Sequence, residues 1–168
     1  FATSPIMYET FDEYILSLKK LISTIEKRSN IKLTIRYRSN IFCDFDNFKD
    51  ILYTKNKNII FKNDNKINED LKNSNLIISF SSTVIEKALY LKKPVALFSI
   101  NNKFNYLDVK KNRNNPIFKF RFKNLEDDIN YYLKTKKNYD FSKYIYQNKK
   151  YKFNNFTDYL VKEIELNE

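Results

Sequence analysis

The stretch Asn75–Phe98 constrains this chain more than any other. An apolar run, Leu76-Ile-Ile-Ser79, leads through Phe80 to three hydroxyl residues, Ser81, Ser82 and Thr83. Val84 to Leu91 reads as a short helix, and Val95-Ala-Leu-Phe98 is a second apolar run opened by Pro94. Two short buried runs joined by a helix make a strand–turn–helix–strand unit, the repeating element of a parallel sheet. In such a unit the turn opens the helix, so Ser81, Ser82 and Thr83 are aimed above the sheet with their N–H groups. A helix N-terminus built this way suits a phosphate, because free N–H groups and the helix dipole both favour negative charge.

The rest of the chain repeats the alternation. Phe1-Ala-Thr-Ser-Pro5 reads as the end of a strand running into a loop. Phe11, Tyr14, Ile15, Leu18, Leu21, Ile22 and Ile25 fall on one helical stripe, and Thr10 with Glu13 forms a capping-box signature. Arg28-Ser-Asn30 closes that helix, and Ile31 to Arg38 alternates as a strand with Ile31, Leu33 and Ile35 on one face. Residues 44–52 predict a short helix, 58–61 a strand and 67–73 one or two helical turns. Short apolar strands alternating with helices predict an α/β fold, a Rossmann-like parallel sheet with helices on both faces. Residues 100–116 read as a long Asn- and Lys-rich loop, and 117–122 as an edge strand with one wet face. Leu125, Ile129, Tyr132 and Leu133 form a helical stripe. A Rossmann-like domain over 1–134 and a C-terminal helical tail over 135–168, packed on the same domain, complete the expected organisation. The tail's helical pieces are clearest at Phe156, Leu160 and Ile164.

Composition excludes several chemistries. The chain has no Gly and no His. Abundant Lys, Asn, Ile, Phe and Tyr, all with AT-rich codons, make biased base composition the plain explanation. Without Gly there is neither a P-loop nor a GxGxxG turn, and without His the commonest general base and zinc ligand is missing. The net charge of +11 is spread along the chain and attracts polyanions in general. The one cysteine, Cys43, allows no internal disulfide, fits a reducing compartment and reads as a small buried residue. No apolar run is long enough to span a bilayer, and no signal-peptide layout opens the chain. The first residue is Phe1, which fits a processed piece or one part of a longer protein.

The residues Ile77-Ile-Ser-Phe-Ser-Ser-Thr83, Glu86-Lys-Ala-Leu89 and Lys93-Pro-Val-Ala-Leu97, led in by Leu71-Lys-Asn-Ser-Asn75, resemble a family pattern. They are similar to the donor-binding, C-terminal half of GT-B glycosyltransferases and their relatives. Those relatives include capsule and surface-polysaccharide transferases, teichoic-type glycerophosphotransferases and nucleotide-sugar 2-epimerases. The resemblance implies one GT-B lobe whose N-terminal partner lobe is missing here. It implies a nucleotide-sugar donor, a glycan or lipid-linked acceptor and no cofactor or metal. It further implies a cytoplasmic place, with peripheral contact at the inner face of the membrane. On this reading Ser81, Ser82 and Thr83, with Arg36 and Arg38, bind donor phosphates, and Glu86 lies near the ribose. Asn101, Asn102 and Lys103 form a loop toward the sugar or acceptor. Two positions depart from the pattern. Arg36-Tyr-Arg-Ser-Asn40 lacks the His-Pro often found there, and Lys87 stands where relatives often carry Glu.

Each signal also has a plainer reading. Capping needs only one hydroxyl, and Thr83 with Glu86 is itself a capping box. Arg36 and Arg38 share a strand face that helices should cover. The simplest resolution ends the strand near Ile35 and sets the pair at its C-terminal edge, where open α/β sheets bind ligands; solvated arginines are the plain alternative. The sequence therefore predicts a donor-binding lobe of a glycosyltransferase-type enzyme in surface-polysaccharide synthesis. A non-catalytic basic module for nucleic acid or anionic membrane is the alternative, as is a degenerate relative without activity. Against nucleic acid stands the lack of helix-turn-helix spacing, a zinc site or an RNP-like strand.

Overall fold

The computed structural model describes residues 10–37, 43–79, 84–101, 115–135 and 138–142. The elements run α1 (Phe11–Glu26), β1 (Leu33–Arg36), α2 (Phe45–Ile51), β2 (Ile59–Lys62), α3 (Ile67–Asn73) and β3 (Ile77–Ser79). They continue with α4 (Val84–Tyr90), β4 (Val95–Phe98), β5 (Ile117–Phe120) and α5 (Leu125–Lys134). The fold is α/β, and all paired strands are parallel. Among the described residues the strands form two sheets, β1–β2 and β3–β4–β5, where the sequence reading expects one. The strand end expected at 1–5 and the helical tail expected after 142 lie outside the described residues.

Strand alternation sorts the side chains into two apolar layers. Leu33, Ile35 and Ile59 of the first sheet join Ala96, Phe98 and Phe120 of the second in one cluster. Helix α1 covers that cluster with Tyr14, Ile15, Leu18, Leu21, Ile22 and Ile25, and α5 adds Leu125 and Ile129. The other face of the three-stranded sheet, Ile77, Val95, Leu97 and Ile117, meets Leu71 of α3 and Ile85, Ala88 and Leu89 of α4. Helices thus cover both faces of this sheet, and one apolar layer spans both sheets.

Local chemistry explains the boundaries. The capping box at the start of α1 forms as expected, with Thr10 N donating to Glu13 Oε2 (2.9 Å) and Glu13 N to Thr10 Oγ1 (3.2 Å). Asp44 caps α2, accepting from Asn47 N at 2.8 Å. In α5 the inner positions are Leu125, Ile129 and Tyr132, three members of the expected stripe, while its fourth, Leu133, is half-exposed. After α5, Tyr139 stacks on Phe118 with rings 6.1 Å apart, and Phe141 packs on the layer beneath α3 and α4. The chain therefore passes from one face of the sheet to the other beside β5.

The end of α4 carries the consequence of having no glycine. Lys93 N donates to Ala88 O (2.8 Å) and Lys92 N to Leu89 O (2.9 Å), the bond pattern of a Schellman cap. That cap needs a left-handed residue, usually Gly, and Lys92 fills it at φ 56°. Pro94 then prevents the helix from continuing. Lys92→Gly is expected to stabilise the fold by about 0.5 to 1 kcal/mol, the relief of strain exceeding the added freedom of the unfolded chain. The check is the urea midpoint, which should rise with an unchanged slope.

Candidate functional site

Because every strand is parallel to its neighbour, the C-terminal ends of each sheet lie along one edge. In open α/β sheets that edge is where ligands bind. The three-stranded sheet brings Ser79 (end of β3), Val84 (start of α4) and Ser99 to Asn101 (after β4) to its C-terminal edge. Ser79 is fully buried, and its hydroxyl has no hydrogen-bond partner among the described residues. Glu86 is exposed in the first turn of α4 and is the one acidic group of that turn.

The N-terminal part of α1 is fastened to the same edge. Ile100 N donates to Ser17 Oγ at 2.9 Å, and Ser17 Oγ donates back to Glu13 O at 2.9 Å. The side-chain amide of Asn101 donates to Glu13 Oε1, the oxygen that the capping box leaves over. Glu13 thus caps α1 with one oxygen and orients Asn101 with the other. With Asp12 and Glu13 in its first turn, α1 already carries the negative charge that its dipole favours. An anion at this edge would meet less repulsion over α4 than over α1.

Arg36 sits at the C-terminal end of β1, where the sequence reading sets it, but it is buried and ion-paired rather than solvated. It is the last residue of β1, inside the strand, and only 6% exposed. Its guanidinium donates through Nη1 to Asp70 Oδ2 and through Nη2 to Asp64, reaching the Asp64 carboxylate at 2.6 Å. Lys62, directly opposite Arg36 on β2, reaches the second oxygen of Asp70 at 2.7 Å. Two cations facing each other across a ladder would repel; Asp70 gives one oxygen to each. The strand can therefore continue through Arg36, because α3 and the loop before it bring the carboxylates that its burial requires. A phosphate at Arg36 would have to compete with two carboxylates.

The carboxylates feel this arrangement. Hydrogen bonding from Arg36, then from the Lys66 N–H, holds Asp64 below the usual carboxylate range. For Asp70 burial works upward, but hydrogen bonds from Lys62 and Arg36 outweigh it and the pKa is lowered. Burial, then the charge of Asp44, pushes the Cys43 thiol up, so at neutral pH it is a buried thiol rather than a nucleophile.

Of the residues singled out from sequence, Arg36, Glu86 and Asn101 are therefore located, with Asn101 tied to Glu13 and Arg36 to Asp64 and Asp70. Ser81, Ser82, Thr83, Arg38, Asn102 and Lys103 lie outside the described residues. The sequence reading missed Glu13 as a partner of Asn101, and missed Asp64, Lys62 and Asp70. One signal was available: Asp70 immediately precedes Leu71, the buried residue of α3, which brings its carboxylate beside the sheet. No family model matches the chain, and no curated protein matches it. Among the described residues no helix is long and apolar enough to cross a membrane.

Arg36→Ala is expected to destabilise the fold by about 1 to 2 kcal/mol at pH 7, because Asp70, which keeps Lys62, loses one charge-assisted hydrogen bond. Both carboxylates have lowered folded pKa values, so their contribution is present above the ordinary value near 4 and lost as pH falls through the folded values. Urea melts across pH 2 to 7 should show a shallower acid loss in Arg36→Ala than in the wild type.

Proposed function

We propose that this chain is the donor-binding lobe of a glycosyltransferase-type enzyme of the GT-B kind, with a Rossmann-like organisation, and that it holds a nucleotide-diphosphate sugar. The observation that carries the reading is the β3–α4–β4 unit. Ile77↔Val95, Ile78↔Ala96 and Ser79↔Leu97 pair in parallel with α4 between them. Ser79 ends a buried strand and Val84 opens a helix at the edge open α/β sheets use for ligands, and the sequence between them is Phe80-Ser-Ser-Thr83. Asn101, held by Glu13, belongs to the same edge and supplies an oriented amide for a sugar hydroxyl.

The chemistry asked of this lobe is electrostatic. As an acceptor hydroxyl attacks the anomeric carbon, the bond to the donor diphosphate breaks and negative charge grows on the leaving oxygens. Amides and hydroxyls at Ser82 and Thr83 would stabilise that charge without reorganising. The group that takes the acceptor proton is assigned to the other lobe. Arg36 contributes by holding β1, β2 and α3 together rather than as a first phosphate ligand, since two carboxylates already occupy it.

Calorimetric titration of the 168-residue chain with UDP, CDP and their sugars tests the reading. Saturable binding is expected, weakened roughly tenfold or more by Ser82→Ala/Thr83→Ala, which removes charge-assisted hydrogen bonds. No binding by a folded wild type would remove the donor-lobe reading. Binding of any polyanion alike, falling steeply with salt, would favour a basic module drawn by the +11 charge.

A further inference from the structure

The side-chain amide of Asn101 can face only one way. Its oxygen accepts and its nitrogen donates, and the two are told apart by what they meet. Here Nδ2 meets Oε1 of Glu13, a carboxylate oxygen, which only accepts. The nitrogen of Asn101 is therefore turned to Glu13 and Oδ1 away from it, on a residue that is exposed. Both partners are held from behind. Glu13 Oε2 accepts from the Thr10 N–H at 2.9 Å, which fixes the carboxylate at the start of α1. Ile100 N donates to Ser17 Oγ at 2.9 Å, which fixes the backbone just before Asn101 to the next turn of the same helix. Turning the amide over would set acceptor against acceptor at Glu13, and an unmade bond costs more than a made one contributes.

Position gives this fixed direction a use. Asn101 follows β4, which pairs in parallel with β3, and neighbouring strands lie about 4.8 Å apart. A diphosphate at the end of β3 brings the group beyond it within reach of the residues that follow β4. What Asn101 shows there is an accepting oxygen and the second hydrogen of its amide. A hydroxyl answers both, because it donates and accepts, whereas a carboxylate only accepts. Asp12 and Glu13 add acidic side chains in the first turn of α1, the turn to which the amide is tied.

We infer that the Glu13–Asn101 pair selects a donor with a neutral sugar over one with an acidic sugar. Asn101 contacts the sugar hydroxyls, and Glu13 is the positioning residue that fixes which end of the amide they meet. The inference rests on the donor-lobe reading and narrows its substrate class. It also runs against the charge of the whole chain. At +11 the overall field favours the more negative ligand. A preference for the neutral sugar has to be built locally.

Calorimetric titration of the full chain with UDP, UDP-glucose and UDP-glucuronate tests this, since the two sugars differ in one group, a hydroxymethyl against a carboxylate. UDP-glucose is expected to bind roughly tenfold or more tighter than UDP-glucuronate, the size of a hydrogen bond made in one case and refused in the other. Glu13→Gln keeps the capping box, because Gln serves at that position. Its amide can accept from Asn101 or donate to it, so Asn101 loses its fixed direction and the ratio of the two affinities should fall toward one. A purely structural role for Glu13 would weaken both sugars alike and leave the ratio as it was. Wild-type binding of UDP-glucuronate as tight as that of UDP-glucose, or tighter, would overturn the inference and leave the donor reading standing. An unchanged ratio in Glu13→Gln would do the same. Failure of all three ligands to bind the folded wild type would remove the donor reading itself, and the inference with it.

Discussion

The apolar layer beneath α1 is the constraint on which the remaining geometry depends. Leu18 and Leu21 are fully buried there, against residues from both sheets. A helix with one wide apolar stripe can hide it only by lying across such a layer. Once α1 lies there, its N-terminal part meets the end of β4. Ser17 then finds Ile100, and Glu13 finds Asn101. The candidate edge is thus organised by burial some distance from any ligand.

The second tie between the sheets is ionic and sits on the opposite face. Helix α3 sends Leu71 into the layer under the three-stranded sheet and Asp70 to Arg36 and Lys62 of the two-stranded one. A buried guanidinium tolerates no loose arrangement, since removing one partner leaves an uncompensated charge. The cluster therefore fixes how α3 lies against both sheets, and it occupies the arginine that the family resemblance assigns to phosphate.

Much of this was legible in the sequence where the physics is local. Val95–Phe98 is apolar at every position and bounded by Pro94 and Ser99, so its limits were readable to the residue. The stripe of α1 and its capping box are also short-range patterns. The partners of Arg36 were not readable, because Asp64 and Asp70 lie 28 and 34 residues away and meet it only through sheet pairing. Alternation gave the odd face of Arg36 but not what answers it. The division into two sheets is likewise a matter of which strands meet, on which periodicity is silent. At the candidate edge the sequence marked Asn101 and Glu86 by position, while the link from Asn101 to Glu13 spans 88 residues and needed the docked helix.

The proposed function puts a nucleoside diphosphate at the C-terminal edge of the β3–α4–β4 unit. Amide chemical-shift mapping by NMR during titration with UDP tests this most directly. Saturable shifts are expected at Ser79, Val84, Ile85, Ser99 and Asn101, with the N-terminal strand ends at Leu33, Ile59 and Leu76 unmoved. Shifts at those N-terminal ends, or shifts scattered over lysine-bearing surface with none at Ser79 and Val84, would contradict it.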